Sequence, residues 1–143
     1  MNILFMKRGS RMNWHNWSID RTLILFVGLA FLALGIQVTM FHYRQNFHNK
    51  AMWVPVISAP IFFITGMILT WYNAYWLRNL FLVLMWLGVL FGLVGFYFHF
   101  RGVGVRVGGW ALRNFLIGPP IILPLMFSTI SVLGLIAIYW EVR

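Results

Sequence analysis

The stretch RTLILFVGLAFLALGIQVTMFHYR, residues 21–44, decides the fold. Between its two flanking arginines, residues 22–42 are almost wholly apolar and contain no Asp, Glu, Lys or Arg. About 20 such residues are needed for a helix to cross the hydrocarbon core of a bilayer, where no water satisfies the backbone N–H and C=O groups. This stretch is therefore predicted to be a transmembrane helix.

Three further segments pass the same test of length and composition, namely residues 54–75, 79–100 and 115–140. The chain of 143 residues is 62% hydrophobic and contains only two acidic side chains, whereas a soluble domain exposes far more charge. We predict an all-α integral membrane protein, a multi-pass four-helix bundle whose spans are joined by short loops.

The opening stretch has a near copy further along the chain, RNLFLVLMWLGVLFGLVGFYFHFR at residues 78–101. Apolar matches between two membrane helices mean little, but arginine and histidine are scarce in such segments. The glycine and charged or polar identities, 57 positions apart, are Arg21 and Arg78, Gly35 and Gly92, His42 and His99, and Arg44 and Arg101. Agreement at these residues predicts an internal duplication.

The duplicated unit is a hairpin of two spans. With a shift of three residues in the loop, Pro60 of the second span aligns with Pro120 of the fourth. We predict two tandem hairpins, residues 21–77 and 78–143, after an N-terminal interfacial leader of residues 1–20. Because each unit has an even number of spans, both cross the membrane in the same direction, as parallel repeats about an axis along the membrane normal.

The basic residues indicate both orientation and partners. They are divided almost evenly between the two ends of the spans, and the cluster Lys7, Arg8 and Arg11 in the leader favours cytoplasmic termini. The net charge of +9 is scattered singly at the ends of the spans and forms no basic helix. We therefore expect contact with membrane lipids, including anionic headgroups, and no binding of nucleic acid.

Two histidines provide the candidate cofactor site. The duplication places His42 and His99 at one depth, near the ends of spans that face each other diagonally in an up-down-up-down bundle. Gly35 and Gly92 stand seven residues earlier, about two turns, and so lie on the same faces. Two facing imidazoles above small residues are the arrangement needed to bind haem b, or another tetrapyrrole, through its iron. Such a bis-histidine site transfers electrons because the iron keeps no open position.

Cations accompany the histidines. Arg44, Arg101, Arg106 and Arg113 are on the histidine side of the membrane, and no acidic residue lies among them. They are predicted to bind anions, either the propionates of a haem or phosphate headgroups. The glycines between residues 102 and 109 are expected to let the backbone approach a ligand or bend tightly. The simpler alternative is that the histidines are interfacial or packing residues and the arginines are ordinary flanking charges.

The sequence leaves three functions open. It has no Cys and no grouping of nucleophile, base and acid at membrane depth, so catalysis by the chain alone is not expected. Glycines such as Gly88-x-x-x-Gly92 favour close packing between helices, so we first expect a non-catalytic subunit that stabilises or anchors a larger membrane complex, or a homo-oligomer. The alternatives are a bis-histidine electron-transfer subunit and a small oligomeric transporter or channel, although the spans lack the deep ionisable group that ion-coupled transport uses.

Overall fold

The computed structural model describes residue 14 and residues 16–140. Five α-helices follow one another along this part of the chain: α1 Ile19–Arg44, α2 Trp53–Trp71, α3 Tyr75–Arg106, α4 Leu112–Ile117 and α5 Ile122–Trp140. A turn of 3₁₀ helix, Lys50–Met52, leads into α2. All except the short α4 are long and apolar enough to span a membrane. The structure confirms the predicted all-α four-helix membrane bundle.

The four long helices are arranged as a ring in which α1 and α3 each pack against α2 and α5. This places α1 and α3 on one diagonal of the bundle. At the centre, Phe31 of α1 meets Phe62 and Phe127 edge-on, with ring centroids 4.9 and 5.0 Å apart. Edge-to-face contacts of this kind let large rings fill an interior without voids. The aromatic centre thus joins α1, α2 and α5.

Within each hairpin the helices approach closely because small residues face each other. A Cβ atom added to Gly35 would lie 3.0 Å from the Cβ of Ala59, which leaves no room for a larger side chain between α1 and α2. A Cβ added to Gly92 would overlap the Ser128 hydroxyl and lie 2.6 Å from the Pro124 carbonyl oxygen of α5. These glycines therefore serve the association of the helices.

The contacts of the first hairpin recur in the second at fixed spacings, 57 positions from α1 to α3 and 69 from α2 to α5. The contact of Gly35 with Ala59 in the first hairpin corresponds to that of Gly92 with Ser128 in the second. The contact of Phe31 with Phe62 corresponds in the same way to that of Gly88 with Ser131. Six of the seven buried residues of α2 have a buried counterpart 69 positions later, so this spacing gives the packing register of the second spans.

The register therefore differs from the sequence alignment of Pro60 with Pro120. Pro60 lies inside α2, whereas Pro120 precedes α5. The residues at matching places are instead Pro55 and Pro124, each at the third position of its helix. Proline is tolerated in the first turn of a helix because the N–H groups there have no partner within the helix. The loop between α3 and α5 contains α4, so it exceeds the loop between α1 and α2 by more than the three residues of the sequence alignment.

The two largest differences from the predicted spans are at the start of the fourth and the end of the third. The fourth span begins at Ile122 and not at residue 115, because the residue before a proline avoids the helical conformation and Pro119 and Pro120 follow each other. The third span continues to Arg106, six residues past its predicted end. Among the glycines of this region only Gly108 and Gly109 have positive φ angles, 95° and 122°, so the tight bend is confined to them.

At the end of the bundle opposite the histidines, the N-termini of α1 and α3 meet in a polar contact. Asp20 and Arg78 are both buried, and their atoms Oδ2 and Nη1 are 3.9 Å apart. The same Nη1 donates a hydrogen bond of 3.3 Å to the Asn73 side-chain oxygen. Trp14, the first described residue of the predicted leader, donates from its indole to the Leu69 carbonyl at 3.1 Å; residues 1–13 and 15 lie outside the described residues.

Changing Asp20 to Asn is expected to lower the free energy of unfolding by about 3 kcal/mol, because it removes the negative charge from a buried ion pair with Arg78. The measurement is unfolding in mixed detergent micelles, followed by circular dichroism. Arg44→Gln, which neutralises an exposed charge, serves as the control and is expected to unfold like the wild type. Equal stability of the Asp20→Asn variant and the wild type would contradict a structural role for this pair.

Candidate functional site

The structure brings His42 of α1 and His99 of α3 together at one end of the bundle, called here the histidine end, where α1 and α3 end and α2 and α5 begin. The ring centroids are 6.4 Å apart and the ring planes are inclined by 65°. His42 is buried, with 7% of its surface exposed, although its neighbours Phe41 and Tyr43 lie further out. The two side chains thus point into the space between the diagonal helices.

The hydrogen bonds of the two imidazoles differ. His99 Nδ1 is 2.8 Å from the Pro120 carbonyl oxygen. A carbonyl only accepts, so the proton lies on Nδ1, and the lone pair of Nε2 is left for another partner. His42 Nδ1 is buried and has no hydrogen-bond partner among the described residues. Leaving such a group unsatisfied costs about 1–3 kcal/mol.

The Pro120 carbonyl is available to His99 because it has no hydrogen-bond donor in the helix that follows it. One turn further along, the residue whose N–H would bond this carbonyl in a continuous helix is Pro124, and proline has no N–H. In the structure α5 begins only at Ile122, so the Pro120 carbonyl stays outside the helix and faces α3. The spacing Pro-x-x-x-Pro is therefore the signal that identifies this acceptor.

A cavity of about 690 Å³ surrounds the histidine pair. Its volume lies within the range of roughly 300–1,000 Å³ found for small-molecule and cofactor sites. Its wall is mostly apolar and is built from α1, α3, the loop after α1, the beginning of α2, and the beginning of α5 with the residues just before it. The polar side chains in this wall are His42, Gln45, His48, Asn49, His99, Arg101 and Arg106. Such a wall suits a ligand with an apolar body and a polar or charged edge.

The two predicted glycines have different places relative to this cavity. Gly92 belongs to its wall and also packs against α5. Gly35 faces α2 and lines a separate, smaller groove of about 340 Å³ beside Pro60. A trough on both helices is therefore not part of the observed geometry, since on α1 the wall is formed by Val38, Phe41 and His42.

The four predicted arginines also divide into two groups. Arg101 and Arg106 line the cavity. Arg44 is exposed, with its Cζ 5.8 Å from the centre of the Phe41 ring, and Arg113 is exposed on α4. Neither Arg44 nor Arg113 belongs to the described cavity wall. Because Arg44 and Arg113 lie outside the cavity, binding of phosphate headgroups is the prediction that still applies to them.

His48 is the residue of the site that sequence reasoning missed, because it has no copy in the second hairpin and lies in a loop. In the structure its Nε2 accepts a hydrogen bond of 2.9 Å from Arg106 Nη1, and its Nδ1 is 3.1 Å from the Gln45 carbonyl oxygen. The contact joins residues 58 positions apart and depends on the extension of α3 beyond residue 100. No local sequence pattern indicates such a contact.

The donor set restricts the kind of metal centre. Among the residues that the structure describes, no three His, Asp or Glu side chains are placed together to hold a metal ion. A zinc site, for example, usually takes three or four ligands from the protein. Two imidazoles alone are sufficient only when a macrocycle supplies the remaining ligands, as the four nitrogens of a tetrapyrrole do.

Comparisons with known proteins yield no relative: no family model, no curated protein and no solved structure matches the chain. The function has to be inferred from the residues of the site themselves.

Proposed function

We propose that the protein is a small membrane subunit that binds haem b, or a related tetrapyrrole, between His42 and His99 and transfers electrons within a larger membrane complex. The separation of the two rings carries the proposal. An imidazole nitrogen binds a transition metal at about 2 Å and lies about 1 Å from its ring centre, so two imidazoles on opposite faces of one iron have centres roughly 6 Å apart. The ring centres of His42 and His99 are 6.4 Å apart.

The hydrogen bond of His99 further supports this proposal. A metal-binding histidine usually donates its other N–H to a carboxylate, a carbonyl or water, which fixes the orientation of the ring. The bond from His99 Nδ1 to the Pro120 carbonyl has this arrangement and leaves Nε2 for iron. The cavity of about 690 Å³ that both histidines line is of a size and polarity that suit such a ligand.

The subunit role follows from the chemistry of such a centre. Two histidines bound to one iron would leave no position for a substrate, so the centre would only accept and release electrons. Electron transfer needs a donor and an acceptor, and the described residues offer no second redox group. We therefore propose that partner proteins in the membrane supply both.

The duplicated hairpin explains how two equivalent ligands arose in so short a chain. The contacts that recur at spacings of 57 and 69 positions support a common origin for the two halves. In this proposal each half contributes one imidazole, and the parallel arrangement brings both to the same depth.

Absorption spectroscopy tests the proposal. The protein is expressed in a haem-replete host, purified in mild detergent and, if colourless, titrated with haemin. We expect a Soret band, a sharpened α band on reduction, and no change with carbon monoxide, because no coordination position is open.

Three outcomes count against it. A protein that is colourless and takes up no haemin contradicts the cofactor, and a reduced spectrum that changes with carbon monoxide contradicts bis-histidine ligation. Purification as a homo-oligomer without a companion protein contradicts the subunit role.

A further inference from the structure

The mouth of the cavity contains a short chain of hydrogen bonds that fixes Arg106. A guanidinium only donates, so the bond of 2.9 Å from Arg106 Nη1 makes His48 Nε2 an acceptor and puts the proton of this imidazole on Nδ1. That proton is then correctly placed for the Gln45 carbonyl oxygen, 3.1 Å away. The two bonds are mutually consistent, and together they hold a cation without neutralising its charge.

Among the described residues, no acidic side chain lies near Arg106 at this end of the bundle. In the described part of the chain the only acidic residue is Asp20, which lies at the opposite end and contacts Arg78. Arg101 lines the same cavity and adds a second positive charge. Arginine has five N–H donors in a fork that matches a carboxylate, and the bond to His48 uses one of them. The remaining donors are available for an anionic group in the cavity.

The position of Arg106 along α3 indicates which group this is. Arg106 follows His99 by seven residues, so it lies on nearly the same helix face, about 10 Å nearer the membrane surface. A macrocycle held by His42 and His99 would lie between α1 and α3. One of its edges would face the part of the cavity wall where the exposed side chains of Arg106 and His48 lie.

We infer that Arg106, held in place by His48, binds a carboxylate side chain of the tetrapyrrole and so fixes which edge of the macrocycle faces the membrane surface. This inference rests on the proposed function. It adds the requirement that the ligand carry an acidic side chain at its edge, which iron ligation by His42 and His99 does not require.

The experiment compares two forms of one cofactor, haemin and haemin dimethyl ester, in which both carboxylates are masked. The wild type is expected to bind haemin about tenfold to a hundredfold more tightly than the ester, as for a charge-assisted hydrogen bond. Arg106→Gln is expected to bind both forms with nearly the affinity that the wild type has for the ester. Arg113→Gln removes an exposed cation outside the cavity wall and is expected to keep the full preference.

The outcomes separate this inference from the proposed function. If the wild type binds both forms equally, or if Arg106→Gln keeps the preference for haemin, ligation by the histidines stands and the role of Arg106 is wrong. If the wild type binds neither form, the proposed function fails and the inference fails with it. Affinity for the ester is an internal check on folding, because a misfolded variant loses both forms.

Discussion

Replacing His99 with alanine is expected to lower the affinity for haem at least about a hundredfold. Mutation of residues that only hydrogen-bond to a metal ligand already lowers metal affinity about 10–100-fold, and loss of a ligand itself costs more. His42→Ala is expected to have the same effect, since the proposed function gives the two rings, whose centres are 6.4 Å apart, equivalent roles as ligands. Titration of each purified variant with haemin, followed at the Soret band, measures the loss. Any haem that remains bound has one open position and is expected to bind carbon monoxide, unlike the wild type.

Two kinds of variant distinguish ligation from a structural role. Tyr43→Ala and Tyr97→Ala alter exposed neighbours outside the cavity wall, on the same helices and near the same depth, and are expected to leave the spectrum unchanged. His99→Met is expected to retain haem with a shifted spectrum and a higher reduction potential, as for a methionine–histidine pair. Wild-type spectra for His42→Ala and His99→Ala would exclude these residues as ligands.

Replacing Gly92 with alanine is expected to lower the free energy of unfolding by about 1–3 kcal/mol, although alanine is the better helix former. The new Cβ would lie 2.6 Å from both the Pro124 carbonyl oxygen and the Ser128 backbone nitrogen, and backbone atoms cannot rotate away. It would also overlap the Ser128 hydroxyl, which is held by its bond of 2.9 Å to the Val89 carbonyl. Unfolding of the haem-free protein in mixed detergent micelles measures the effect.

Gly28→Ala is the matched control for this prediction. A Cβ at Gly28 would meet its nearest neighbours at 3.5 Å, an ordinary contact, so this variant is expected to be as stable as the wild type or more stable by up to about 1 kcal/mol. Adding Ser128→Gly to Gly92→Ala is expected to rescue only part of the loss, because the overlap with backbone remains. Full rescue would show that the hydroxyl alone causes the strain.

The number and positions of the membrane helices were predictable because each is a long apolar run, and the bilayer imposes length and hydrogen bonding on such runs. The helix ends were less predictable. Glycines 102 and 104 continue α3 even though the sequence there is typical of a loop, and a Cβ at Gly104 would overlap the Trp110 ring. Trp110 lies beyond the end of α3, so the local sequence around Gly104 does not indicate that the two residues pack together.

The histidine pair was accessible from the sequence because the predicted duplication implies that equal positions in the two copies have equal depth in the membrane. The role of Gly35 was not, since a glycine permits close approach of either a helix or a ligand, and at this position the neighbour is Ala59. The contact between His48 and Arg106 depends on how far α3 extends and how the first loop folds over it. Such long-range geometry has no signature in the local sequence.

The small-residue seams inside each hairpin have a consequence for biogenesis. As the nascent chain leaves the ribosome, α1 and α2 can pair in the bilayer before α3 is synthesised, because their seam needs nothing from the second half. The second half can form its own seam in the same way, and the halves then dock. The cavity takes its walls from both halves, so it is completed last. In the proposed function, the cofactor can therefore bind only after the two halves have docked, as the last step of assembly.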